Sequence, residues 1–265
     1  MDVAETGMRS MQRPRHLLVP LAVLAGAGLA ALALSLIVGS ADVTLQALWA
    51  VLRGEGDVLS RTLILELRLP RSLSACAVGG LLAVAGALMQ GLLRNPRADP
   101  YVLGLSGGAA VGALAAMLAG VGGTIITGSA FAGAFLSTLL VFGLAHGTGS
   151  WTPSRLLLTG VVVAAGWGAV VTLMLAISPA ERLPGMLYWL MGDLSYSRTP
   201  WPSLTVLLVV CLLIVPLGRS LNVMARGPLQ AAALGVNVRP LEWTIYLTAS
   251  VLTAMAVTTA GSIGF

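Results

Sequence analysis

Chemistry-bearing side chains are scarce in this chain, and they gather in a few short stretches. Two arginines enclose a dipeptide at Arg68-Leu69-Pro70-Arg71. Three apart at a helix start, they project to the same side. Guanidinium groups fork onto carboxylates in bidentate fashion, so the pair suits an acidic protein surface. A run of about twenty mostly apolar residues follows, long enough to cross a bilayer. It stops at a polar knot, Arg94-Asn95-Pro96-Arg97-Ala98-Asp99-Pro100. There Asn95, Pro96 and Pro100 shape a tight reversal, and the Asp99 carboxylate is placed to cap the segment beyond it.

The remaining reactive types point away from catalysis. All fifteen basic residues are arginine. Without lysine there is no P-loop, whose GxxxxGK[ST] pattern needs one at the phosphates; any ATP used on behalf of this chain is bound by another subunit. The two cysteines, Cys76 and Cys211, each sit in an apolar run and give neither metal-ligand spacing nor a disulfide framework. His16 and His146 fall near span ends. No catalytic residue, metal site or cofactor is expected, and no nucleic-acid partner.

The elements that carry these stretches are membrane spans. The chain is 57% hydrophobic and 9% charged, whereas a soluble domain carries about 25% charged residues. Its apolar runs are continuous, unlike the alternating segments of about ten residues in a β-barrel. The sequence predicts an all-α polytopic membrane protein with spans over 17–38, 73–93, 101–120, 124–145, 155–177, 201–218 and 241–260. Leu17 to Val38 is long for the core of a cleaved signal, so residues 1–16 read as a cytoplasmic N-terminal segment and 17–265 as one transmembrane domain. With the N-terminus inside, nine arginines (9, 13, 15, 94, 97, 155, 219, 226 and 239) fall on the cytoplasmic side and six outside, the bias that the positive-inside rule describes.

Glycine marks close packing. Gly79, Gly80 and Gly86 in the second span, and Gly104, Gly107, Gly108 and Gly112 in the third, leave flat faces on which helices approach. Two outer segments read as interfacial: Val43 to Leu52, with Leu45, Leu48, Trp49 and Leu52 on one side, and Leu183 to Leu194, with Tyr188 and Trp189 at headgroup level. The longest inner loop, 219–240, contains Gly227-Pro228, a good helix start. Ala231 to Leu234 continue that helix, and Gly235 stops it.

Taken together, these residues resemble the FecCD family, the membrane permeases of binding-protein-dependent ABC importers for vitamin B12, ferric siderophores and haem. The likeness is carried by Arg68-Leu69-Pro70-Arg71, Gly86-Ala87-Leu88-Met89-Gln90-Gly91, Arg94-Asn95-Pro96, Ala98-Asp99-Pro100, Leu103-Gly104 and Ser106-Gly107. Leu158-Thr159-Gly160, Trp189-Leu190-Met191-Gly192, the stretch from Ala231 to Val236 and the terminal Ala260-Gly261-Ser262-Ile263-Gly264-Phe265 extend it. The resemblance implies the type II ABC importer permease fold, with about seven of the usual ten transmembrane helices present, in the inner membrane. It implies a second permease copy as partner, cytoplasmic ATP-binding subunits and a periplasmic substrate-binding protein. Arg68 and Arg71 would meet glutamates on the binding protein. Gly227, Leu229, Ala232, Ala233, Leu234 and Gly235 would form the element that couples to the ATPase. Asn95, Pro96, Asp99 and Pro100 would be a structural turn.

Three departures from the family pattern stand out. The family continues past the final motif into further helices, so the chain resembles a C-terminally truncated permease. Ser262 stands where proline is common, and Gly227-Pro228-Leu229 replaces a Gly-Glu-Glu start, which leaves shape and apolar contact for ATPase docking. Two other functions compete. A proton-coupled transporter would need carboxylates or histidine near mid-membrane, and the spans lack central acids. An intramembrane serine protease is suggested by Gly104-Leu105-Ser106-Gly107, but its nucleophile needs a base within reach, and His146 sits at a span end.

Overall fold

A computed structural model of the chain describes residues 15–39, 41, 43–146, 153–195, 197 and 199–262. Arg9, Arg13, Asp42, Arg198, residues 147–152 and the closing Ile263-Gly264-Phe265 lie outside them. All described regular structure is helical. The chain divides into two compact units, 1–72 and 73–265.

The first unit holds α1 (Arg15–Ile37), α2 (Leu45–Arg53) and α3 (Val58–Arg61), followed by a π-helical turn, Thr62–Arg68. Helix α2 starts where Thr44 accepts a hydrogen bond from the Ala47 amide and ends at left-handed Gly54. Leu48 and Val51 bury against Val43 and Ile64, whereas Leu45, Trp49 and Leu52 stay exposed. The outward side of this short helix is therefore apolar, as an interfacial helix requires.

The wide turn runs directly into α4 (Leu69–Leu93), so the helical stretch starts at Val58 rather than at 73 as the sequence suggests. Polar residues Ser60, Arg61, Thr62, Glu66 and Arg68 hide this beginning from a hydropathy reading. Pro70 has no N–H to return to the Glu66 carbonyl, and the turn falls where that bond is missing.

The second unit contains most of α4, a 3-10 turn (Pro100–Leu103), α5 (Leu105–Leu118), α6 (Thr124–His146), α7 (Pro153–Ala176), α8 (Leu183–Met191), α9 (Trp201–Ile214), α10 (Gly218–Met224), α11 (Pro228–Ala233) and α12 (Val238–Ala260). Six described stretches are long and apolar enough to cross a membrane: Leu18–Ile37, Val58–Leu93, Thr124–Ala145, Ser154–Ala176, Trp201–Met224 and Val238–Ala260. Two expectations change. The span expected over 101–120 is a 3-10 turn, a left-handed Gly104 and a 14-residue helix, which at 1.5 Å per residue falls short of a ~30 Å bilayer core. The span expected to end at 218 continues to Met224 through a 3-10 turn at Val215–Leu217, where Pro216 removes one helix bond.

The core of this unit lies between α4 and α12. Leu81, Ala85, Leu88 and Met89 of α4 pack with Tyr246, Ala249, Leu252, Ala256 and Ala260 of α12, joined by Val141 and Phe142 of α6 and Leu156 of α7. Helices α5 and α6 meet almost backbone to backbone. A Cβ on Gly108 would lie 2.5 Å from the Gly133 carbonyl oxygen, and one on Gly112 would lie 2.1 Å from that of Ser129. The expected close packing at Gly108 and Gly112 is therefore real, whereas Gly79 faces open space.

Candidate functional site

The paired arginines do not act alike. Arg68 closes the π-helical turn, is half-buried, and turns toward the end of α1. Its Nη1 donates to the carbonyls of Leu36 (2.9 Å) and Ile37 (2.8 Å), and its Nη2 donates to that of Ala41. The last carbonyls of a helix have no partner within it, and Arg68 supplies donors to two of them, at Leu36 and Ile37, and to Ala41 just beyond. Gly39 leaves the room, because a Cβ there would stand 2.7 Å from Nη2. Arg71, in the first turn of α4, is exposed and has no hydrogen bond or ion pair with another described residue. Sequence spacing foresaw a projecting pair; the fold gives one cap and one free guanidinium.

The knot after α4 is built as the residues predict. Arg94 takes a left-handed conformation, φ 50°, and ends the helix. Asn95 Oδ1 accepts from the Arg97 amide (3.0 Å), and the Asn95 carbonyl accepts from that of Ala98 (3.0 Å). Asp99 Oδ1 accepts from the Tyr101 amide at 2.7 Å and caps the 3-10 turn, whose first residue is Pro100. Partial burial of Asp99 holds its carboxyl above the usual carboxylate range, against the lowering effect of that bond. Ala98 is buried in the same apolar cluster as Met224 and Leu241.

The loop element is a real helix. Gly227, φ 135° and buried, precedes Pro228. The helix ends as Gly235, φ 81°, donates to the Ala232 carbonyl and Val236 to that of Ala231, a left-handed glycine stop. Ala231 is fully buried and anchors it. Leu229, Ala232, Ala233, Leu234 and Gly235 are exposed, the two leucines at 86% and 70%. An Arg94 guanidinium nitrogen lies 3.8 Å from the place a Cβ on Gly227 would take. Turn and loop, read separately from the sequence, thus adjoin.

Several ties escaped the sequence reading because they join residues far apart in the chain. The carbonyl of Gly104, φ 69°, accepts from the Gly108 amide (3.1 Å) and also from Ser137 Oγ (2.8 Å), which in turn accepts from Trp167 Nε1 (2.8 Å), so α5, α6 and α7 share one junction. Arg182 Nη1 donates to the Met117 and Leu118 carbonyls and closes the end of α5. Ser106, the serine of the GxSG match, has its Oγ 2.8 Å from that of Ser262. Its partner is a hydroxyl and not a base, so no nucleophile is activated there. A cavity of about 1180 Å³ opens between α6, α8, α9 and α12, with the hydroxyls of Thr127, Ser203, Thr258 and Thr259 in its wall.

The arginine pair, the turn and the loop helix are each defined pieces of helical structure, and the sequence model of a transport family spans them, matching residues 21–265. The chain belongs to the FecCD transport family. A cobalamin import system permease, BtuC, of Halobacterium salinarum is 39% identical over 213 residues, which are 78% of this chain and 56% of that protein. The hemin transport permease HmuU of Yersinia pestis is 38% identical over 76% of this chain and 62% of its own length. The molybdate import permease MolB of Haemophilus influenzae is 33% identical over 83% and 66%. The chain therefore spans 56% to 66% of these FecCD relatives. A solved structure described as an inward-facing ABC transporter of metal-chelate type superposes with a TM-score of 0.79 at 28% identity, covering 94% of this chain and 77% of that one. Family and helices together make this a multi-pass membrane protein.

Proposed function

We propose that this chain is the permease subunit of an ABC importer that moves an iron chelate, ferric siderophore or haem, or cobalamin from periplasm to cytoplasm. It sits in the inner membrane with its N-terminus cytoplasmic and residues 1–16 ahead of the transmembrane domain. It works beside a second copy, with ATP hydrolysed by separate cytoplasmic subunits and cargo delivered by a periplasmic binding protein.

The observation that carries this reading is α11. It is a short helix anchored by one buried alanine and held between two positive-φ glycines, yet its leucines are turned outward. Exposed leucines beyond a membrane span, without lipid to cover them, are the signature of a contact surface. Arg71 supports the other contact, since its donors are free for a carboxylate while Arg68 fixes the backbone from which it projects. Few ionisable groups lie in the spans, which suits a passage that holds a large chelate weakly.

The test is ATP-driven uptake in proteoliposomes. Ala232→Arg is expected to uncouple hydrolysis from uptake, because a charge replaces an apolar contact. Arg71→Glu is expected to abolish stimulation of ATPase activity by the binding protein. Normal uptake by the first variant together with normal stimulation of the second would overturn the reading.

A further inference from the structure

A second opening lies at the end of the bundle where α4 stops. It is a crevice of about 470 Å³ between α4, α10 and α12, within the size range of ligand sites. Ala83, Ala87 and Gly91, one turn apart on α4, form a smooth wall, and no atom stands within 4 Å of a Cβ placed on Gly91. The floor is apolar and buried: Leu88, Met224 and Ile245. A stripe this smooth and this long accepts an extended apolar chain and offers it no hydrogen bond.

The rim is of opposite character. Asn222 lines the crevice; Arg219 stands three before it, on its side of α10, and Arg226 follows four after it. Arg226 lies in the turn just past the end of α10, its amide bonded to the Val223 carbonyl. Both arginines are exposed. Arg94, three residues beyond Gly91, brings a third guanidinium to the neighbouring Gly227. No acidic residue is among the described residues that line the crevice; Glu242, three before Ile245 on α12, has Arg239 beside it. An apolar groove with exposed guanidinium groups beside it is complementary to one class of molecule: a phospholipid with a net negative headgroup.

We propose that this crevice holds an acidic phospholipid, one acyl chain along Ala83, Ala87 and Gly91 and the phosphate between Arg219 and Arg226. The site is independent of the transport reading, since occupancy is measured without cargo, nucleotide or partner subunits. Bound lipid would fill the gap that protein packing leaves open between α4 and α10.

The experiment is native mass spectrometry of the full chain, purified in detergent and titrated with phosphatidylglycerol or phosphatidylcholine. One phosphatidylglycerol is expected to stay bound where phosphatidylcholine is lost. Each arginine near an anionic surface is worth about a factor of five, so R219Q/R226Q is expected to weaken retention roughly thirtyfold. Ala87→Phe, at an exposed position, is expected to abolish it by filling the groove. Equal retention of the two lipids, or retention unaffected by either variant, would mean annular lipid only and would overturn the proposal. A cysteine introduced by Ala87→Cys that crosslinks to another protein helix in native membranes would overturn it as well, because the groove would then be a helix seat.

Discussion

Helices α9 and α12 have similar tasks and opposite surroundings. The span that α9 begins, Trp201–Met224, is markedly more apolar than α12, yet only 6% of its membrane-length window is buried against protein, compared with 56% for α12. Leu208, Leu212 and Leu213 of α9 point outward, at 62% to 66% exposure. Helix α12 instead carries Ser250 and Thr253 inside, each bonded back to a carbonyl of its own helix. Tyr246 reaches across to the Thr138 carbonyl at 2.8 Å. In water the more apolar helix would be the core. In a bilayer, lipid tails match leucine, and the protein interior selects small residues and satisfied polar ones. Hydropathy here does not track burial against the described protein.

Leucine truncation is the sharpest way to break this comparison. Leu252 of α12 is fully buried, so Leu252→Ala should cost about 2–5 kcal/mol through the cavity it leaves. Leu212→Ala on α9 removes an exposed side chain and should stay within about 0.5 kcal/mol. Thermal unfolding in detergent or nanodiscs compares them, and equal losses would sink the contrast.

A smaller effect is expected where backbones touch. Gly112→Ala pushes a methyl against the Ser129 carbonyl and should cost about 1–3 kcal/mol. Gly79→Ala meets open space and should be neutral or slightly stabilising by helix propensity. The same melting assay reads both, and a Gly112→Ala as stable as the parent would show that α5 and α6 part easily.

The smallest effect concerns the turn after α4. Asp99→Ala removes the cap on Tyr101 and should cost about 1 kcal/mol, whereas Asp99→Asn keeps an acceptor there. Burial raises the Asp99 carboxyl above its ordinary value, so the folded chain holds that proton more tightly than the unfolded one. The contribution is absent below the unfolded value and becomes a loss of stability as pH rises through the raised one. Melting points of parent and Asp99→Asn across mildly acidic pH should converge at the low end and separate as pH rises. Parallel curves would show that Asp99 is not the group responsible.

Much of the molecule was legible before its structure. Apolar runs located the long helices, because about twenty such residues have no stable place but a bilayer. Gly227, Pro228 and Gly235 placed α11, since these residues impose backbone geometry on their own. Asn95, Asp99 and Pro100 placed the turn for the same reason. Local chemistry written in neighbouring residues survives translation into sequence patterns.

Other features required the fold. The helical start at Val58 was invisible because its polar residues look like loop, and the third span proved too short because Gly104 breaks it. The division of labour between Arg68 and Arg71 depended on carbonyls some thirty residues upstream, at Leu36, Ile37 and Ala41. The junction of Gly104, Ser137 and Trp167, and the meeting of Arg94 with Gly227, join residues whose separation in sequence holds no periodic signal. By itself the sequence determined that the chain crosses the membrane, the family it belongs to, and where its backbone must turn. Only the tertiary structure decided which guanidinium is free and which helix is buried against its neighbours, because those outcomes depend on what each side chain meets across the bundle.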